Sequence, residues 1–287
     1  MLAVAVACTP GITAGMHGSS SLAAASPGDP GGLGGFFSVA CHVARVARDD
    51  PIVHPDTPGA SHLHDFFGPR SITAFSTPKS LLGKPTSCDN TGDTAGYWTP
   101  SPTMSGVPVR PGFQNEYWFD GGFKHVSTIP FGLELVAGNS MATTPQPLSH
   151  VFYYCGQSPV NTVHSSLPYD CSNSNDTTNH EIIMVVVFPQ CWDGKLPSGN
   201  DASHVAYPVK PGVCPQGFSH PLPRLEEHVH TFISSPFVNG KFVFHLSSGS
   251  AYSLHGDFMN AWRPATLLEF VTECINAHLH CAPSVTP

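Results

Sequence analysis

The chain has 287 residues, enough for one large all-β domain or two ordinary ones. Only 11% of them are charged, against roughly 25% in an average soluble domain, and the 27 glycines and 29 prolines do not suit long helices. A formal net charge of −8 with only 12 Lys plus Arg excludes a nucleic-acid binder that tracks phosphates. Histidine, at 17, outnumbers Lys and Arg together, which puts polar chemistry near neutral pH, where imidazole serves as ligand, acid or base.

Met1–Ala7 (MLAVAVA) is an apolar run ending at Cys8. It resembles the end of a bacterial lipoprotein signal with a lipidated cysteine, although it lacks a basic stretch and has Ala5 where such signals have leucine. The alternative is an ordinary signal remnant with an incidental cysteine. Both predict an extracytoplasmic protein, secreted or held at the cell surface, that meets a membrane only through an anchor at Cys8. Residues 9–35 are Gly/Ser/Ala/Pro-rich and read as a flexible tether. No later run approaches the ~18 apolar residues of a membrane span.

Residues 36–283 read as one mostly β domain, a β-sandwich-like fold with long loops, disulfides and a C-terminal helix. The predicted strands are Glu116–Phe119, Gly132–Val136, His150–Tyr154, Ile182–Phe188, Thr231–Ile233 and Lys241–Leu246, rich in Val, Ile, Phe and Tyr and bounded by turn residues. Ile182–Phe188 (IIMVVVF) is continuously apolar, as in a central strand buried on both faces. The helix is Pro264 to about Ala277, with Pro264 in its first turn and Leu267, Leu268, Val271 and Ile275 on one side. The connections are long, so loops are expected to carry the chemistry. With Cys8 set aside, eight cysteines remain, consistent with up to four disulfides in an oxidising compartment. Their spacings contain no CxxC and give no zinc-finger site. A Cys191–Cys214 bridge is predicted, closing a loop worth about 3 kcal/mol on the chain-entropy model.

Four polar segments stand out. His62-Leu63-His64 places two imidazoles on one strand face, a common way to offer two nitrogens to one metal, with Asp50 or Asp65 able to add a carboxylate or orient a ring. Phe188–Pro208 presents Trp192, Asp193, Lys195, His204 and Tyr207; a tryptophan beside a carboxylate suits sugar recognition, the ring stacking on C–H groups while the acid takes hydroxyls. The third holds His220 between prolines, and the fourth is His255-Gly256-Asp257, followed by Asn260 and Trp262. His228 and His230 form a second HxH, and the remaining histidines read as structural or surface residues.

At these segments the chain resembles the DUF1996 family. The marks are Asp50-Pro51-Ile52-Val53, Ser61-His62-Leu63-His64, Phe67-Gly68 and Tyr97-Trp98-Thr99-Pro100, then Phe131-Gly132 to Ala137-Gly138 and Phe188 to Lys195. Ser203 to Pro208, Cys214-Pro215, Ser219-His220-Pro221 and His255-Gly256-Asp257-Phe258 to Trp262 complete the set, over about residues 36–281. The resemblance implies an extracellular protein of fungi or actinobacteria, in fungi often joined to WSC modules thought to bind carbohydrate. Ala261 stands where the pattern has glycine, and His228 and His230 fall outside the motifs. The resemblance thus moves the expected site onto His62, His64, Asp193, His204, His220, His255 and Asp257, converging on one cleft.

The leading expectation is an enzyme acting on a cell-wall or extracellular polysaccharide. One divalent metal held by His62, His64 and His255 would activate water, with Asp193 or Asp257 as acid or base. In a lyase, His204 or His62 would take the proton and Tyr207 would protonate the leaving oxygen; in a glycosidase, Asp193 and Asp257 would form the carboxylate pair. Trp192, Lys195, Asn260 and Trp262 are the expected substrate contacts. The competing expectation is a non-catalytic wall-associated protein that binds sugar or metal.

Overall fold

The structure, a computed structural model, describes residues 34–104, 106–156, 163–165, 180–196, 202–233 and 244–281. Cys8 and nearly all of the expected tether lie outside these residues, as do Cys171 and positions 241–243 of one expected strand.

The strands in chain order are β1 (Phe36–Ala47), β2 (His64–Phe67), β3 (Gly96–Pro100), β4 (Pro102–Met104), β5 (Val107–Pro108), β6 (Phe113–Phe119), β7 (Glu134–Gly138) and β8 (Val151–Cys155). They continue with β9 (His180–Val187), β10 (Cys191–Trp192), β11 (Val205–Ala206), β12 (His220–Pro221), β13 (Arg224–Ile233), β14 (Phe244–Leu246), β15 (His255–Met259) and β16 (His280–Cys281). The main sheet runs β7-β15-β3-β2-β1-β6-β13-β9-β8, and every pairing along that path is antiparallel. β1 belongs to both halves: Phe36–His42 pairs with β6 and Val43–Ala47 with β2, with a register shift between Val43 and Arg45. A bulge bends a strand and increases its twist; here it folds the long sheet back on itself. The result is the expected mostly β architecture, a sandwich verging on a closed barrel.

Alternation along the strands fills the space between the halves. Phe37, Trp118, Leu135, Met184, Val186, Leu225 and Phe258 are buried in one core. Phe37 stacks on Trp118, and Trp118 meets Phe258 edge-on. At Gly256 the halves touch: an added Cβ would sit 3.0 Å from Glu227 Oε2 and 3.2 Å from Val186 Cγ1. A smaller core of Ile52, Phe66, Ile72, Leu81, Trp98, Met259 and Ala261 forms on the outer face of the β7-β15-β3-β2 half, beneath the segment leading into β2.

The C-terminal helix α1 (Pro264–Phe270) begins with proline in its first turn, as expected, and continues as a π-helical turn, Val271–Ile275. Leu267, Phe270, Val271 and Ile275 face the core, whereas Leu268, expected on that face, is 54% exposed. One residue beyond Leu267 is a rotation of about 100°, enough to leave the buried stripe. Disulfides join Cys41–Cys88, Cys191–Cys214 and Cys274–Cys281, the second as expected, and Cys155 is disulfide-bonded as well. Among the described residues no helix is long and apolar enough to cross a membrane.

Candidate metal centre

Three imidazoles meet on the outer face of the β7-β15-β3-β2 half. His64 opens β2 and His255 opens β15, so strand alternation points both rings outward, while His62 reaches in from the segment before β2. His62 Nε2 lies 3.1 Å from His255 Nε2. One ligand nitrogen from each of His62, His64 and His255 falls within 4.8 Å of the others. Nitrogens held 2.0–2.1 Å from one tetrahedral ion lie about 3.3 Å apart, so the pair is close to ligand spacing already.

The backbone fixes which nitrogen each ring offers. His64 Nδ1 is 2.9 Å from the Asp49 carbonyl and His255 Nδ1 is 2.8 Å from the Ser253 carbonyl. A carbonyl can only accept, so each Nδ1 carries the proton and each Nε2 presents a lone pair. This is the outer-shell arrangement that orients metal-binding histidines. Asp49 is itself held by Arg45, 2.8 Å away, and by the Gly59 amide. Burial drives the pKa of His62 and His255 down to about 4, with His54 and Arg48 adding to the effect on His62 and His62 adding to that on His255. Burial also holds His64 well below the ordinary value, so all three rings are neutral at pH 7, the state in which imidazole binds a cation.

Carboxylates complete the group. Asp257, two residues after His255 on the same strand face, is within 4.8 Å of ligand atoms of both His64 and Asp50. Asp50 is aimed by its own loop, Oδ1 accepting from the Ile52 and Val53 amides at 3.1 and 2.9 Å. Both oxygens of Asp257 and Nε2 of His64 are buried without a hydrogen-bond partner. Burial, with Asp50 beside it, pushes the Asp257 carboxyl far above the usual range. A buried, unpaired carboxylate costs several kcal/mol, and a cation at this point would remove that cost. The His trio and the Asp50–His64–Asp257 trio have His64 in common. Imidazole-rich, mixed N/O ligation suits zinc or another divalent transition metal better than calcium or magnesium.

The other expected residues gather elsewhere. β10 with β11 and β12 forms a small sheet pinned by Cys191–Cys214. On it His204 Nδ1 meets Asp193 Oδ2 at 2.9 Å, Lys195 Nζ lies 3.8 Å from the same oxygen, and Trp192 packs on His220 at 5.4 Å between centroids. His204, with Lys195 behind it, holds the Asp193 carboxyl below its ordinary pKa. The Trp192 indole N–H donates to the Lys195 carbonyl, leaving the ring partly exposed. The turn Ala202–His204 packs against β7, the strand that pairs with β15, so the expected residues form two neighbouring clusters. Asp193 and Asp257 belong to different ones.

Several expectations need correction. Asn260 and Trp262 contact no substrate surface: both are 1% exposed. Asn260 Nδ2 ties down the Ile129 and Pro130 carbonyls, and the Trp262 indole donates to the Tyr97 hydroxyl in the core. Tyr207 stacks on His150 at 3.7 Å and donates its hydroxyl to the Val187 carbonyl, so its proton is already committed. Of the two candidate acids near His64, Asp50 joins the group, whereas Asp65, next along β2, points to the opposite face. His228 and His230 lie on β13 in the other half, bonded to Glu226 with Tyr154 and to Glu181 with Asn115. His64, His255 and Asp257 stand on strands, and His62 and Asp50 on the segment that leads into β2. One residue escaped the sequence reading: Glu134 on β7, half-buried, its carboxyl raised to about 7 by burial and by Asp50. An isolated Glu in a GLELVAG strand reads as its wet face, and only the fold reveals the acid beside it.

An open cavity of about 630 Å³ lies against β7, the strand paired with β15. Its floor includes Val136 and Gly138, the β7 residues directly paired with Asp257 and His255. The loop 139–147 forms one wall, and His150 with Tyr207 the other.

The family described as "Domain of unknown function (DUF1996)" matches residues 50–262, most of the chain, and the chain belongs to it. No curated protein and no solved structure matches it.

Proposed function

From this family membership and the geometry above, we propose that the protein is an extracytoplasmic metalloenzyme that hydrolyses a polysaccharide of a cell wall or extracellular matrix. One divalent transition-metal ion would be held by Nε2 of His62, His64 and His255 with Asp257. The observation that carries the reading is the convergence of three neutral imidazoles whose Nδ1 protons are, for two of them, tied to backbone carbonyls. When bound, the ion would supply a Lewis acid and an activated water. Asp50 and Glu134 are the nearby acids available to take or return a proton. The adjoining cavity gives a chain room beside the centre, and Trp192 with Asp193 and His204 offers a sugar contact at its margin. Disulfides fit a place outside the reducing cytosol.

The test begins with elemental analysis of tag-free protein, where one equivalent of zinc, manganese or copper is expected. Reducing ends released from wall polysaccharides should then appear, vanish on chelation and return with metal. His255→Ala should abolish turnover. Glu134→Gln, removing one of the acids assigned to proton transfer, should lower the rate by ~10²–10⁴-fold with binding retained. Protein that takes up none of these metals refutes the reading.

A second reading has one observation in its favour. His64, His255, Asp50 and Asp257 are almost fully buried, as in structural sites whose ligands close around the ion. Tight metal uptake and glycan binding without chain cleavage would establish a non-catalytic wall-associated protein instead.

A further inference from the structure

The cavity beside the metal centre has a wall chemistry that narrows what can occupy it. Its side chains are neutral throughout: Asn139, Thr143, Thr144 and Gln146 on one wall, His150 and Tyr207 on the other, with no Lys, Arg, Asp or Glu among the lining residues. His150 is kept from charging because burial lowers its pKa. The Gln146 amide donates to the Tyr252 and Leu254 carbonyls, so this wall is fastened to the turn that leads into β15.

The basic side chains of the neighbouring elements lie outside this lining. Across the His150–Tyr207 stack lies a second cavity of about 350 Å³, where Arg224 is paired with Glu226 at 3.1 Å, leaving Lys210 at the rim. On the small sheet, Asp193 is matched by His204 and Lys195. An acidic polymer entering the first cavity would give up its hydration against a lining that carries no cationic side chain, a desolvation cost that only a metal ion at the neighbouring centre could offset. Neutral hydroxyls would meet hydroxyl and amide partners, and the flat His150–Tyr207 pair and the proline edges of the loop suit pyranose C–H faces. The volume lies in the ordinary range for a ligand site, about 300–1,000 Å³.

We propose that the cavity bounded by β7, the loop 139–147 and the His150–Tyr207 pair binds the uncharged sugar units of a neutral polysaccharide. This rests on the glycan-hydrolase reading only for the class of ligand, and it can fail separately. The probes are neutral hexasaccharides of glucan and mannan and an oligogalacturonate of equal length, titrated calorimetrically into metal-loaded protein at low and high salt. A neutral hexasaccharide is expected to bind, unaffected by salt. Thr143→Trp, an exposed position whose new ring would fill the cavity, should weaken that binding at least tenfold with metal content unchanged. Thr144→Trp provides a second blocking variant should the first fold poorly. Binding confined to oligogalacturonate, neutral binding indifferent to both tryptophans, or no oligosaccharide bound would overturn the proposal. Neutral binding without cleavage would instead leave it standing and remove the hydrolase reading. Cleavage of acidic chains alone would do the reverse.

Discussion

His62 and His255 are separated by 193 residues, yet their Nε2 atoms approach to 3.1 Å. Two unprotonated nitrogens repel at that distance, and since the Ser253 carbonyl fixes the His255 tautomer, the contact needs a proton on His62 or a shared cation. His255→Ala should therefore lower metal affinity by at least ~100-fold, given that losing even an outer-shell partner costs about 10–100-fold. Equilibrium dialysis against zinc, with metal measured on both sides, checks this. Unchanged stoichiometry and affinity would exclude His255 as a ligand.

Asn260 provides the contrasting case. Its amide satisfies two buried carbonyls and its Oδ1 accepts from the Trp262 amide. Asn260→Ala should lose about 2–3 kcal/mol in denaturant unfolding, the cost of orphaned buried polar groups, while metal stoichiometry stays at the wild-type value. A loss of metal without a loss of stability would restore it to the site.

The Cys191–Cys214 bridge closes 23 residues of sequence around the Trp192 cluster. Replacing both cysteines with alanine should cost about 3 kcal/mol. Because the bridge pins the small sheet and not β15, zinc uptake at the three-histidine centre should survive. Unfolding curves and metal analysis on the same preparation test both halves of the statement.

Asp93 gives a pH signature independent of the three-histidine group. It is fully buried, accepts from the Tyr97 hydroxyl at 2.9 Å, and sits beside Glu116; burial raises both carboxyls, that of Asp93 to about 7. Between the unfolded value near 4 and about 7 the native state holds a proton that the unfolded state has released. Stability from this group is thus complete below about pH 4 and declines as pH rises through 7, by up to about 1.4 kcal/mol per pH unit. His62 and His255, with lowered values, act in the opposite sense between about 4 and 6.5, equally in wild type and variant. Asp93→Asn should flatten the decline in metal-free protein, measured as unfolding free energy at pH 4.5 and 7. An unaltered slope would show that Asp93 does not titrate there.

Much of the site was legible one segment at a time. The continuous apolar run of β9 and the HxD spacing of β15 each foretold burial or a shared face, because strand alternation is a local property. Expected strand ends differ from the observed ones by one or two residues in β7 and β8, and by more in β6 and β13, whose polar halves (Gln114, Asn115, Arg224, Glu226 and Glu227) conceal strands that bury polar side chains. β1 escapes residue patterning for a related reason: its outer residues are half-exposed and it serves three partners, β6, β2 and β16, on either side of a bend. The juxtaposition of Asp50 and Glu134 depends on long-range register, which residue spacing does not encode. Asn260 and Trp262 were misjudged because residue type says nothing about which side of a sheet end faces water.

The pairing of β1 with β16 sets the order in which this molecule can be finished. Phe36 and Phe37 lie in parallel register with His280 and Cys281, so the first strand of the sheet meets the last. Strands β2, β3, β7 and β15 likewise reach across much of the chain, a topology in which closing long loops precedes their reward. While the polypeptide is still emerging, His62 and His64 have no third imidazole to meet, and the outer half of the sheet has no central strand until β15 arrives. The centre can therefore be completed only once β15 is in place, and a chain interrupted before residue 255 would lack both the site and the strand that joins β7 to the rest.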